Sequence, residues 1–401
     1  MPEPEKKYRG RVVDKELGET LGTFGGVLIT GPKMCGKTWT GIKQAASSVF
    51  IDDGENLTKA ALTPEALLEG PSPRLVDEWQ LAPLLWDKAR RLIDKAHKPG
   101  RFIFTGSAVP AEAAAHSGTG RFVHLQMRPM TLFESGDSSG SVSLAALFAQ
   151  KTGKKGTRWK AGKPLQPAPS TLDFKTAVHL ICRGGWPAGL WLKKNAALAL
   201  PKGYLEMIIE TDVSRLEGAQ RNPSKLRLLM KSLARNSSTQ AGASVILGDI
   251  QKHEEAGSLS EDSIANYIDA LKKIFIIDEQ KAWLPSLRSK TRIRTRPKRH
   301  FVDPSLAAAA LDASPSLLMG DPKTTGFLFE SLCYRDLSVY ARPIKGEIYH
   351  YRDEKGLEVD IIIQLKNGNW AAVEVKLGSF EFDSAAENLI KLRKKMEGQT
   401  T

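Results

Sequence analysis

Eight consecutive residues near the start of the chain, Gly31-Pro32-Lys33-Met34-Cys35-Gly36-Lys37-Thr38, follow the pattern G-x-x-x-x-G-K-[ST]. The glycines let the backbone curl so that its N–H groups face a triphosphate. Lys37 then reaches the β and γ oxygens, and the Thr38 hydroxyl is a ligand for Mg²⁺. The whole run from Gly31 to Thr38 is the expected cradle for ATP. Cys35 supplies only a backbone N–H. The apolar run Val27-Leu28-Ile29-Thr30 gives the strand that must precede such a loop, and a helical pattern follows Lys37.

A second acidic element stands where this chemistry needs it. Arg74-Leu75-Val76-Asp77-Glu78 reads as a short strand ending in two carboxylates. Asp77 is expected to hold Mg²⁺ through water, and Glu78 to orient the attacking water. Phe102-Ile103-Phe104-Thr105-Gly106-Ser107 is a third strand ending in hydroxyls, with Thr105 or Ser107 placed to sense the γ-phosphate.

The last quarter of the chain carries a separate acidic set. Glu374-Val375-Lys376 lies one hairpin after Asp360, and both stretches read as strands. Strand side chains alternate, so Glu374 and Lys376 share a face that the hairpin can bring to Asp360. Two such carboxylates suit Mg²⁺, Lys376 suits a water or phosphate, and Glu330 on the preceding helix adds a third carboxylate. This set resembles the PD-(D/E)xK nuclease core. The alternative is the charged solvent face of an ordinary sheet. Against that stand the strongly apolar neighbours Ile361-Ile362-Ile363 and Ala371-Ala372-Val373, among which an unpaired carboxylate is costly.

The elements that position these residues are legible in outline. Apolar runs at 27–29, 49–51, 75–76, 102–104 and 122–125, several separated by helical patterns, predict a parallel sheet covered on both faces. Lys151 to Ser170, rich in Lys, Gly and Pro, predicts a linker. A helical stretch follows, interrupted at Gly184-Gly185-Trp186-Pro187. Three short helices are predicted between Ser224 and Leu271, with a serine cap at Ser260, followed by a strand at Ile274-Phe275-Ile276-Ile277 and a basic hairpin. That order is the order of a winged helix-turn-helix. A helix at 326–337, strands at 348–352, 357–365 and 370–375, and a closing helix at 384–396 complete the chain.

The chain of 401 residues has a formal charge of +13 and 41% hydrophobic residues, enough for real cores and too many for wholesale disorder. The charge is clustered: eight Lys or Arg and no acid lie from Lys281 to His300. Such a run attracts phosphate backbones, so a nucleic-acid partner is expected through it, the alternative being a solvated face. No apolar stretch approaches the length of a membrane span. The first residues lack the apolar core of a signal peptide, and the three cysteines form no CxxC pair, so a cytoplasmic location without membrane contact is expected.

Gly31–Thr38, Val76-Asp77-Glu78-Trp79-Gln80, Phe104-Thr105-Gly106-Ser107-Ala108 and His116-Ser117-Gly118-Thr119-Gly120-Arg121 together resemble a family of prokaryotic AAA-superfamily ATPases. That family carries a C-terminal restriction-endonuclease-like domain of unknown function. The likeness continues through Gly184-Gly185-Trp186-Pro187 and Phe301-Val302-Asp303-Pro304. It implies ATP binding and hydrolysis with Mg²⁺, and Ser107 or Thr105 as sensor. It also implies a role for Arg121 at the γ-phosphate or at the nucleotide of a neighbouring subunit in a homo-oligomer. A structural salt bridge is the alternative for Arg121.

The expected fold is α/β throughout. An AAA-type ATPase core spans 1–150, a basic linker 151–170, a helical lid 171–222, a winged-helix-like unit 223–300 and a nuclease-like unit 301–401. Two functions stay open: an ATP-driven switch on nucleic acid whose last unit cleaves phosphodiesters, and an ATP-gated DNA-binding regulator whose last unit is a dead scaffold.

Overall fold

Five strands, β1 (Gly26–Thr30), β2 (Ser47–Phe50), β3 (Arg74–Asp77), β4 (Phe102–Gly106) and β5 (Phe122–Gln126), pair in parallel in the order β2-β3-β4-β1-β5. They belong to a computed structural model that describes residues 8–107, 118–149, 172–212, 222–251, 259–285 and 296–397. β1 and β4 are buried along their whole length, as helices on both faces of a parallel sheet require. On one face Leu28, Phe102 and Phe104 pack with Trp79, Trp86 and Phe122, and Trp86 stacks on Phe122 at 4.2 Å between ring centroids. On the other, Val27, Ile29, Leu75, Ile103 and Leu125 meet Val13, Leu17 and Leu21 of the first helix. Because the strands are parallel, the segments after β1, β3 and β4 all emerge at one edge, where α/β sheets bind ligands.

Helices Phe174–Arg183, Lys194–Met207, Pro223–Arg235, Ala243–Ile250 and Glu261–Lys273 follow. Their apolar stripes join one cluster in which Val178 and Ile181, Leu226 and Leu229, and Phe301, Leu306 and Leu328 are all buried. The boundaries expected at 222/223 and 300/301 therefore cut through a shared core.

The expected strand at Ile274–Ile277 is instead the end of a helix and a turn. Phe275 sits at φ 61, and β6 runs from Ile277 to Ala282. Carbonyls at the helix end are satisfied by that turn, with Phe275 N–H donating to Lys272 O and Ile276 N–H to Leu271 O. β6 pairs antiparallel with β7 (Lys298–Phe301) and parallel with β8 (Gly346–Arg352). β9 (Glu358–Leu365) and β10 (Trp370–Val373) complete a second sheet in the order β10-β9-β8-β6-β7. The hairpin expected to be a free wing is thus two strands of the C-terminal sheet, and the 300/301 boundary falls within β7.

The two sheets are tied together. Arg342 pairs with Glu16 at 2.9 Å and donates to the Gln126 carbonyl at 2.6 Å, while Leu132 N–H donates to Asp336 at 2.9 Å. Among the described residues no helix is long and apolar enough to cross a membrane. The expected linker at 151–170 lies outside the described residues.

Candidate functional site

The phosphate loop turns tightly after β1. Gly36 adopts φ 102, a left-handed value that costs a side-chain-bearing residue strain, and a Cβ there would also press on the Arg11 guanidinium. Lys37 is 5% exposed, and its Nζ donates to the Gly31 and Pro32 carbonyls at 3.0 and 2.9 Å. Arg11, just before the first helix, donates to the Cys35 carbonyl at 2.8 Å and pairs with Glu134 at 3.1 Å. Tyr8 hydrogen-bonds Thr40 at 3.0 Å, on the helix that follows the loop. The loop is thereby held from outside by residues to which the sequence drew no attention.

Thr38 Oγ1 lies 3.0 and 3.1 Å from the two oxygens of Asp77. The Thr105 hydroxyl donates to Asp77 from the neighbouring strand β4. Burial pushes the Asp77 carboxyl above its ordinary value, with the Thr105 and Thr38 hydroxyls acting in the other direction. A threonine hydroxyl facing a carboxylate beside Lys37 is an all-oxygen donor set that fits Mg²⁺.

Glu78 turns away from β3 at φ 54. A non-glycine residue in this region costs of order 1–3 kcal/mol, and such residues concentrate at functional sites. Its carboxylate accepts from Gln80 and, at 3.3 Å, from Ser107. Of the two hydroxyls expected as sensors, Ser107 lines the cavity over the loop, whereas Thr105 is fully buried behind Asp77.

That cavity measures about 770 Å³; Lys37, Thr38, Glu78 and Ser107 line it, and so do Tyr8, Arg9, Met130, Pro187, Leu190 and Trp191. Arg9 stands over the Trp191 ring at 5.6 Å. Sequence reasoning missed this wall, although Trp191 is 55% exposed beside the turn at Gly184–Pro187.

The turn has a clear structural role. Gly185 N–H donates to Asp303 at 2.9 Å, Trp186 Nε1 donates to Ser305 at 2.9 Å, and a Cβ at Gly185 would run into the Met130 carbonyl. Asp303 in turn pairs with buried Arg335 at 2.7 Å.

Arg121 is not near the loop. Its carbonyl accepts from Gly26 N–H at the start of β1, and its guanidinium pairs with Asp94 at 2.7 Å. With about 3.3 Å per strand residue, β1 separates it from Gly31 by roughly 15 Å. The guanidinium thus lies away from the loop of its own chain, in the salt bridge with Asp94, on a side chain that is partly exposed.

The C-terminal acids do converge, though Glu374 and Lys376 lie just beyond the end of β10 instead of within the strand. Lys376 Nζ is 2.9 Å from Glu374 and 3.5 Å from Asp360, and Val375 N–H donates to Asp360 at 2.9 Å. Glu330 belongs to the same cluster, but its partner is Lys298 at 3.0 Å.

Burial raises Glu330 to about 7. Burial, helped by the Asp360 charge, raises Glu374 to about 7. Burial also acts upward on Asp360, yet Lys298, the Val375 N–H and Lys376 outweigh it and hold that carboxyl below its ordinary value. Among the described residues no group of three His, Cys, Asp or Glu side chains is arranged to hold a metal ion. Lys298 and Lys376 are the cations that face Glu330, Asp360 and Glu374 in this arrangement.

The basic run needs a similar correction. Lys298 is 2% exposed and His300 1%, so neither faces a phosphate backbone. Arg288, Lys290, Arg292 and Arg294 lie outside the described residues.

Residues 24–135, which hold the first sheet and its loop, match an AAA domain family. Residues 175–317 match a domain of unknown function, DUF8612, and residues 325–401 another, DUF4143. Uncharacterised proteins of Mycobacterium bovis and Mycobacterium tuberculosis are each 25% identical over 362 residues, covering 87% of this chain and 70% of theirs. A Walker-type ATPase of Pyrococcus abyssi is similar at 14% identity and a TM-score of 0.43, covering 74% of this chain and 94% of that one. The replication initiator DnaA, solved bound to AMPPCP and single-stranded DNA, is similar at 13% identity and a TM-score of 0.29, covering 65% of this chain and 86% of that one.

Proposed function

We propose that this chain is an ATPase that works as a nucleotide-driven switch on nucleic acid, with its C-terminal unit serving as a scaffold. The observation that carries the reading is the meeting of Lys37, Thr38, Glu78 and Ser107 on the lining of a 770 Å³ cavity, with Asp77 hydrogen-bonded to Thr38. Lys37 and the loop amides bind the phosphates. Thr38 and Asp77 would hold Mg²⁺, which would supply positive charge against the phosphates. Glu78 accepts a hydrogen bond from the attacking water, and Ser107 fixes the orientation of Glu78. The apolar side chains of the lining, Leu190 and Trp191, take the base.

The switch reading is supported by the wall residues at 187–191. They follow a turn that Asp303 and Arg335 anchor to the long helix Pro322–Ala341. Movement of that wall on nucleotide binding bears directly on the shared core of the middle and C-terminal parts. A nucleic-acid target is supported by the +13 charge of the chain. The test is ATP turnover with and without DNA and RNA. Turnover that is absent in wild type, or equal in wild type and Lys37→Ala, overturns the ATPase reading.

A second reading, metal-dependent phosphodiester cleavage, is favoured by one observation. The Glu374 side chain is 4% exposed, and its Oε1 has no hydrogen-bond partner among the described residues. Plasmid nicking in Mg²⁺ or Mn²⁺ that is lost in Asp360→Asn would establish this reading in place of the scaffold.

A further inference from the structure

The acids of the C-terminal cluster come from three elements. Glu330 is on the long helix, Glu358 and Asp360 are on β9, and Glu374 follows β10. Into their midst β7 inserts one side chain. Lys298 is 3% exposed at its side chain, and its Nζ lies 3.0 Å from Glu330 Oε1, 3.0 Å from Glu358 Oε1 and 3.6 Å from Asp360 Oδ1. The other Asp360 oxygen is already engaged by Val375 N–H and Lys376.

An ammonium has three protons and no acceptor, and it needs oxygen partners when buried. Carboxylates crowded from three elements need a cation. Each group answers the requirement of the other. β7 can deliver the lysine because the second sheet opens beyond β6: β6 meets β8 over only Lys281 and Ala282, and the Gln280 side chain spans the gap by donating to the Tyr349 and Asp360 carbonyls.

We propose that Lys298 is the resident cation of this carboxylate cluster, standing where a divalent metal would otherwise be required and fastening the middle of the chain to the C-terminal unit. The assignment rests on the scaffold reading above. It supplies the reason for it: three of the four carboxylates are claimed by a charge that the fold itself provides. It also explains why the lysine belongs to β7, which is continuous with the helical core, and not to the C-terminal unit alone.

The test uses the full chain without nucleotide, melted in EDTA and in Mn²⁺. Lys298→Met should melt several degrees below wild type in EDTA, because it strands buried carboxylates. Added Mn²⁺ should raise the melting temperature of this variant, and not that of wild type. Lys298→Arg, which keeps the charge, should melt close to wild type and serves if the methionine variant does not fold. The wild-type titration also stands independently of every variant at Lys298.

A Mn²⁺-dependent rise in wild type that disappears in Asp360→Asn overturns the assignment. So does a Lys298→Met chain that melts as wild type in EDTA. The two readings fail separately: nicking by wild type sinks the scaffold, whereas Asp360-dependent Mn²⁺ binding without nicking sinks only the role of Lys298.

Discussion

Ser107 Oγ donates to Glu78 Oε2 across 3.3 Å, joining the ends of β4 and β3 at the mouth of the nucleotide cavity. Together with Gln80, which donates to the same oxygen, the bond aims the Glu78 carboxylate. Ser107→Ala should therefore lower kcat about tenfold, the worth of one hydrogen bond to a charged group, while leaving nucleotide affinity nearly unchanged. Steady-state turnover beside equilibrium nucleotide binding checks this. A loss of affinity as large as the loss of kcat would make Ser107 a binding residue instead.

Lys37→Ala and Glu78→Gln should separate cleanly. The first removes the charge that meets the phosphates and should abolish nucleotide binding. The second leaves Lys37, Thr38 and Asp77 intact, so nucleotide stays bound while hydrolysis slows by orders of magnitude. Equal loss of binding in both variants would contradict the division of roles.

For nucleic acid, charge reversals at Arg292 and Arg294 should weaken binding and flatten its dependence on salt. Each lost phosphate contact should reduce the slope of log K against log salt by about 0.9 for duplex DNA. Filter binding across a salt series measures it. Unchanged slopes would return the basic run to a solvated face.

The buried pair Arg335–Asp303 links the long helix to the turn at Gly185. Arg335→Met leaves Asp303 and Asp336 buried without their cation, a loss of about 3–5 kcal/mol. Denaturant unfolding should register it. Nucleotide affinity should fall as well, since Asp303 loses the partner that fixes it against the cavity wall.

Two buried histidines give the fold a pH dependence with a definite sign. His300 Nε2 faces Gln280 Oε1 at 3.0 Å, and burial depresses its pKa to about 3. His350 Nε2 faces the Arg296 carbonyl at 3.2 Å, and burial depresses its pKa to about 4. Each ring stays neutral when folded but takes a proton near pH 6.5 when unfolded. Their stabilisation is complete above that pH and is lost as pH falls toward their folded values. Between pH 6.5 and pH 5 each should cost about 2 kcal/mol. Urea melts of wild type and His300→Asn at both pH values should show a shallower loss in the variant. Identical slopes would mean that His300 titrates when folded.

Contiguous chemistry was legible before any fold was known. The loop Gly31–Thr38, the acids Asp77 and Glu78 and the hydroxyl of Ser107 each terminate a short apolar run, and strand periodicity is a local property. So the first sheet and its active edge could be read from the chain itself. The choice between Ser107 and Thr105 could not. Both stand at the end of the same strand, and only the packing of β4 beside β3 decides that one lines the cavity and the other backs Asp77.

Lys298 marks the limit most sharply. Within a run of eight basic residues and no acid, it reads as one more exposed phosphate contact. Its burial depends on Glu330, Glu358 and Asp360, which lie 32 to 62 positions further along the chain. Arg121 is the converse case, a residue marked by its motif whose place at the start of β5 directs it to Asp94. The sequence determined which segments carry phosphate-binding and acidic chemistry, because those patterns are written in neighbours. Only the tertiary structure decided which charges meet, because the desolvation that pairs a buried lysine with a carboxylate is set by the surroundings of both and not by the residues beside either.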